Sequence, residues 1–219
     1  MTEWHRLFGL ALIDYFAGTS YHVELEHDLS RKQQFVDVII IEENEGHHLT
    51  EIPDGLENLS RYNILSYKSF QESFSPWACD ELVGHYVNYR KQVSPSMDQL
   101  FPEDLFQLYG ISTRYPQKLS QITTLHQTTS GVYEMTWGSR QIRLIVLSQI
   151  VEVPRNALWQ LFSAIPEHVE YGATHYQWHI DKLSTICMNY FSGIDWRGLL
   201  CHIPSMSIIE NLRDHILTG

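Results

Sequence analysis

Tyr62-Asn63-Ile64-Leu65-Ser66-Tyr67-Lys68-Ser69-Phe70 is the stretch on which the fold turns. Read as a strand, it puts Ile64, Ser66 and Lys68 on one face and Leu65 and Tyr67 on the other. A lysine inside an apolar strand is costly, because burying an ammonium carries a large penalty unless an acid pairs with it. The earlier run Gln34-Phe35-Val36-Asp37-Val38-Ile39-Ile40-Ile41 offers that acid, Asp37, itself a charge set among apolar residues. The two runs therefore predict adjacent strands that share an Asp–Lys pair.

The 219 residues suit one large domain, or one domain with an extension, and 43% hydrophobic residues can fill its core. No apolar run approaches the roughly 20 residues of a membrane span. The start, Met1-Thr2-Glu3-Trp4-His5-Arg6, lacks the basic region and apolar block of a signal peptide. Cys79, Cys187 and Cys201 are widely spaced, which reads as free thiols in a reducing compartment and predicts a cytoplasmic protein. The net charge of −11 argues against a nonspecific nucleic-acid coat. Its distribution is uneven: residues 1–60 hold 12 acids and 3 bases, whereas residues 61–130 hold 6 of each. The acidity thus surrounds Asp37, and carboxylates are what a Mg²⁺ site requires.

Taken in order, Thr2 is placed to cap a helix carrying Trp4, Leu7, Phe8, Ala11, Leu12, Tyr15 and Phe16, closed by Gly18. Strands follow at 20–26 and 35–42, joined by a polar connection. A turn at Asn44-Glu45-Gly46 and a loop with Pro53-Asp54-Gly55 lead to the Lys68 strand. A helix runs from Pro76 to about Val93, its stripe being Trp77, Leu82, His85, Tyr86 and Tyr89, and Ser94-Pro95 stops it. Leu100 to Leu108 reads as a short helix ended by Gly110. Strands are expected at 122–128, 132–137 and 142–147, and helices at 156–162, 174–190 and 207–216. The pattern is an α/β class with a mixed sheet flanked by helices and a C-terminal β-plus-helix extension. The soft boundary falls at Ser94-Pro95-Ser96, giving a core of 1–93 and an accessory segment of 94–219 packed on it for dimerisation or target recognition.

Hydrolysis of a phosphodiester with Mg²⁺ needs carboxylates to hold the metal and a cation to orient water or stabilise developing charge. Asp37 and Lys68 supply one acid and the cation. Two residues before Lys68, where a second acid would stand, the chain has Ser66. Asp80 and Glu81, 12 and 13 residues past Lys68, lie one turn into the next helix and can reach back. Ser66-Tyr67-Lys68 with Glu81 resembles the PD-(D/E)XK nuclease superfamily, in the variant that has Ser-x-Lys on the strand and a Glu on the following helix. The order helix, strand, Asp strand, Ser66-Tyr67-Lys68-Ser69 strand over residues 1–93 is similar to the recombination-promoting nuclease and putative transposase branch. The resemblance implies a restriction-endonuclease-like fold and a Mg²⁺- or Mn²⁺-dependent DNA endonuclease, a hydrolase acting as a homodimer. Asp37 and Glu81 would bind metal, with Glu24 or Glu3 as a further contact, and Lys68 would position water. A mobile-element or defence role is family analogy.

Other readings compete. Pro53-Asp54 is a literal Pro-Asp before Lys68, although Pro53-Asp54-Gly55 reads better as a turn. Asp37 can be a structural acid, with Lys68 snorkelling from a sheet edge. Tyr67 and Ser69 flank the lysine and are candidates for nucleic-acid contact. So are Arg90 and Lys91, with Tyr86 and Tyr89 beside them, but this end equally reads as core plus a favourable cationic helix C-terminus. His175 and His179, four apart, can share a helix face and a zinc with His168, but no H-E-x-x-H is present. His47-His48 reads as surface. Ser66 at the acid position and the net charge support an alternative: a nuclease-fold protein without catalysis, acting as a binding or scaffold module.

Overall fold

A computed structural model describes residues 3–28, 35–43 and 51–180, together with Leu183, Thr185 and Cys187. The expected turn at 44–46, His47-His48, Cys201 and the helix at 207–216 lie outside the described residues.

The first helix, α1, is Glu3–Tyr15, and Gly18 takes the left-handed φ of +74° after it. Strands β1 (Tyr21–Asp28), β2 (Phe35–Glu42) and β3 (Tyr62–Lys68) form an antiparallel meander. Helix α2 is Pro76–Val93. Its start is encoded by Ser75, whose side chain accepts the Ala78 N–H at 3.3 Å, with Pro76 in the first turn. The helix returns the chain to β4 (Phe106–Ser112), which runs parallel to β3 along its whole length, from Tyr62 opposite Phe106 to Lys68 opposite Ser112. After the short helix α3 (Gln117–Ser120), strands β5 (His126–Thr129), β6 (Val132–Trp137) and β7 (Arg140–Val146) extend the same sheet. The strand order is β1-β2-β3-β4-β7-β6-β5, a seven-stranded mixed sheet. One sheet therefore runs across residue 93. Helices α4 (Ala157–Gln160) and α5 (Pro166–His175) follow, and beyond them Leu183, Thr185 and Cys187 are helical.

Each sheet face carries its own core. Trp4, Leu7, Phe8, Ala11 and Leu12 of α1 pack with Val38, Ile40, Leu65, Tyr67 and the 157–162 segment. Ala78, Cys79, Leu82, Tyr86 and Tyr89 of α2 pack on Val36, Ile39, Ile64 and Leu108. Among the described residues no helix is long and apolar enough to cross a membrane.

Three expectations change. The segment Leu100 to Leu108 is a 3₁₀ turn at Glu103–Leu105 and the start of β4, a central strand. A parallel strand buried on both faces loses its alternation and becomes indistinguishable from a short helix by periodicity. Gly110 does not end a helix: it lies inside β4, where a Cβ would come within 2.3 Å of the Phe74 ring. The strand expected at 122–128 is confined to His126–Thr129, because Ile122 and Thr123 complete the turn of α3 by donating N–H groups to Leu119. The helix expected at 174–190 does not start at Thr174, since α5 ends at His175 and Tyr176 is extended, whereas Leu183, Thr185 and Cys187 are helical.

Phe74 is fully buried, so the ring has no free direction in which to retreat. Gly110→Ala should therefore lower stability by about 1–3 kcal/mol through overpacking. Chemical denaturation would measure it; a midpoint matching wild type would contradict this packing.

Candidate active site

The ladder between β2 and β3 pairs Ile41 with Tyr62 through to Val38 with Leu65 and stops there. Asp37 is the next residue. Val36 joins the core under α2 while Val38 joins the core under α1, so the alternation slips across Asp37. At this fork the Asp37 side chain replaces a backbone acceptor. Its Oδ2 accepts the Tyr67 N–H at 2.9 Å and the Ser66 hydroxyl at 3.2 Å. Its Oδ1 lies 3.2 Å from Nδ1 of His5, on α1. The other nitrogen of that ring, Nε2, lies 3.1 Å from Oε2 of Glu72. Both ring nitrogens thus face carboxylates, and only the imidazolium can donate to both.

The electrostatics follow. Burial pulls the His5 pKa down, but the hydrogen bond and charge of Asp37, then Glu72, more than reverse this, and His5 ends above its ordinary value. Burial likewise pushes Asp37 up. The His5 hydrogen bond and charge, the Lys68 ammonium and the Tyr67 N–H together outweigh it, so Asp37 lies below its ordinary value and is ionised at neutral pH. Lys68 is the last residue of β3, where its carbonyl accepts the Thr113 N–H at 3.2 Å and leaves the side chain at the sheet's C-terminal edge.

Asp37, Ser66 and Lys68 share one cleft of about 480 Å³ with Trp77, Asp80, Glu81, Gly84 and His85 of α2 and with Phe35. Three separately expected elements therefore meet there: the Asp strand, the Ser-x-Lys strand and the first turns of the next helix. Asp80 is anchored by the Trp137 indole N–H, which donates to its Oδ1 at 2.8 Å. Burial lowers the His85 pKa, and the nearby Asp37 and Glu81 charges only partly restore it, so its neutral ring faces the cleft.

The other sequence candidates lie elsewhere. Tyr67 is 1% exposed and stacks on Phe8 at 4.4 Å between ring centres, on the α1 side of the sheet. Ser69 is buried as well. Neither presents a surface to nucleic acid, because the residues on either side of Lys68 alternate to the opposite face of the strand, into the core. Arg90 is committed to the Phe101 carbonyl at 2.7 Å, the Tyr86 hydroxyl and Glu103. Lys91 is exposed, but it follows Glu81 by ten residues, about 15 Å along the helix. Glu24 pairs with Ile39 on β1 and lies near Tyr89, outside the residues lining the cleft. Asp54, the competing acid, is bound by Arg155 at 2.7 Å and by Asn156 at 2.8 Å, away from Lys68. His175 stacks on Tyr171, His168 lies beside Ser163, and the backbone N–H of His179 donates to Asp14. The end of α5 breaks the helical spacing on which a zinc site would rest.

Sequence reading missed His5, Glu72 and Phe35, and it placed Trp77 and His85 in a buried stripe. Trp77 is 69% exposed, since the residues that α2 buries are Ala78, Cys79, Leu82, Tyr86 and Tyr89. The signal available for His5 was its position beside Trp4, in a helix that buries Trp4, Leu7, Phe8 and Ala11.

The donors suit a hard cation in part. Asp37 and Glu81, with Asp80 beside them, are oxygen ligands facing one cleft. Mg²⁺ commonly binds through one or two carboxylates and keeps several waters. Among the described residues no cluster of three or more His, Cys, Asp or Glu forms a complete ligand set. Compared with protein-family models, with curated proteins and with solved structures, the chain matches none.

Because the His5 side chain is only 9% exposed, His5→Ala should cost about 1.5–3 kcal/mol, the worth of a hydrogen bond to a charged group. The sign with pH is fixed by the two shifts. The raised His5 value stabilises fully below about pH 6.5 and fades as pH rises through the folded value. The depressed Asp37 value stabilises above about pH 3.8 and is lost on acidification. Urea midpoints of wild type and His5→Gln should differ most near pH 5–6, and the gap should narrow as pH rises through the raised His5 value. A gap independent of pH would reject the imidazolium bridge.

Proposed function

We propose that this chain is a metal-dependent DNA endonuclease of the PD-(D/E)XK type. The observation that carries the proposal is the convergence of Asp37, Ser66, Lys68 and Glu81, from β2, β3 and α2, on one cleft. The order α1-β1-β2-β3-α2 supports the same reading, since it follows the helix, strand, Asp strand and Lys strand succession that the resemblance implies.

Asp37 and Glu81 would hold Mg²⁺ or Mn²⁺, which when bound polarises a phosphate oxygen and lowers the pKa of water. The chain's own groups have separate tasks. His5, Ser66 and the Tyr67 N–H fix the Asp37 carboxylate in one orientation and keep it ionised. Lys68 brings a cation to the cleft, where it orients an attacking water or stabilises charge developing on the phosphate. His85, neutral, can accept a proton from the cleft. The acidic lining makes the apo cleft poorly suited to phosphate and well suited to a divalent cation, whose charge then invites the phosphate.

A second reading is a catalytically silent binding module. It is favoured by one observation: both Asp37 oxygens already have partners within the protein, and Ser66 stands at the usual acid position.

Nicking of supercoiled plasmid with Mg²⁺ or Mn²⁺ separates the two. Wild type should nick, and Lys68→Ala and Asp37→Asn should each lose roughly 100-fold or more. Thermal melting should rise with Mn²⁺ in wild type and not in Asp37→Asn. Absence of both nicking and the Mn²⁺ shift would discard the nuclease and leave the silent module.

A further inference from the structure

We infer that the cleft takes single-stranded DNA, holding an unpaired base against Trp77 and Phe35. This rests on the nuclease reading of the cleft and names its substrate class.

Two large apolar side chains are exposed on the rim of a cleft that is otherwise charged. Trp77 is 69% exposed and Phe35 is 42% exposed, and both line the cleft with Asp37, Lys68 and Glu81. Trp77 is not on a loose segment. It occupies the first turn of α2, directly after Pro76 and the Ser75 cap. Exposed aromatic faces held rigidly beside a phosphodiester site are what stacks unpaired bases, and stacking is tolerant of sequence.

Charge decides between single strand and duplex. Duplex binding draws its affinity from Lys and Arg neutralising phosphates. The cleft offers Lys68 against Asp37, Asp80 and Glu81. No arginine is among the described residues lining the cleft, and several are committed elsewhere: Arg114 to the Phe70 carbonyl, Arg90 and Arg140 to Glu103, Arg143 to Glu57 and Glu134. With Lys68 the one lysine or arginine among the described residues lining the cleft, affinity draws on the bases, and those are accessible only where they are unpaired. A second copy of this chain is a poorer occupant, because it would set one acidic rim against another.

The test is binding of a fluorescein-labelled thymidine single strand of about 12 nucleotides and of a blunt duplex of equal length, in Ca²⁺ to limit turnover. Wild type should prefer the single strand by about tenfold or more. Trp77→Ala should bring that ratio close to one, Trp77→Phe should restore most of it, and Met97→Ala, exposed but off the cleft, should keep the wild-type ratio. Melting temperatures guard against misfolding. A duplex preference in wild type, or an unaltered ratio in Trp77→Ala, overturns the inference, as does concentration-dependent dimerisation abolished by Trp77→Ala. Failure here is distinguishable from failure of the nuclease reading. Lys68-dependent nicking with no Trp77 effect removes only the base platform, whereas Trp77-dependent single-strand binding without nicking removes only the catalysis.

Discussion

A carboxylate standing where a strand's backbone acceptor should be is the constraint around which this structure is arranged. Asp37 takes the Tyr67 N–H at the point where β2 and β3 part, and so ends the ladder without leaving the donor unpaired. Burying that charge is costly, and it requires partners from other elements. His5 supplies them from α1, Ser66 and Lys68 from β3. The same contacts therefore fix where α1 lies on the sheet, where the ladder opens, and which carboxylate faces the cleft beyond the fork. A site built in this way is stiff, because moving Asp37 would strand at least three polar groups.

The remaining charges follow an economy consistent with an acidic protein. Arg155 is spent on Asp54, where Asn156 also bonds the carboxylate and the Trp159 indole N–H donates to the Asp54 carbonyl. This network locks the loop before β3 onto the segment that leads into α4. Asp14 performs the corresponding task at the end of α1. Fully buried, it accepts the Tyr176 hydroxyl at 3.0 Å and the His179 N–H at 2.9 Å. Early and late parts of the chain are thus joined by buried acids whose oxygens are satisfied, which is the condition under which buried acids are tolerated. The cleft is the place where this rule relaxes: Glu81, Asp80 and Lys68 meet with Trp77 and Phe35 in a solvent-open space.

What the sequence by itself determined is local or periodic. The Ser75-Pro76 start and Ser94-Pro95 stop of α2, the alternation of β1, and a charge set into each of two apolar strands are written in short runs, and they brought Asp37, Ser66, Lys68 and Glu81 together as candidates. Only the tertiary structure decided the rest. Whether Leu100 to Leu108 continued as helix or strand depended on β3 and β7 lying on either side, because burial on both faces erases the period that distinguishes them. Whether Trp77 belonged to the core depended on which α2 face met the sheet, and His5 joined the site because α1 crosses the fork, 32 residues away in sequence from Asp37. Periodicity specifies which side of an element is apolar, but what a polar side chain touches is set by the element packed against it.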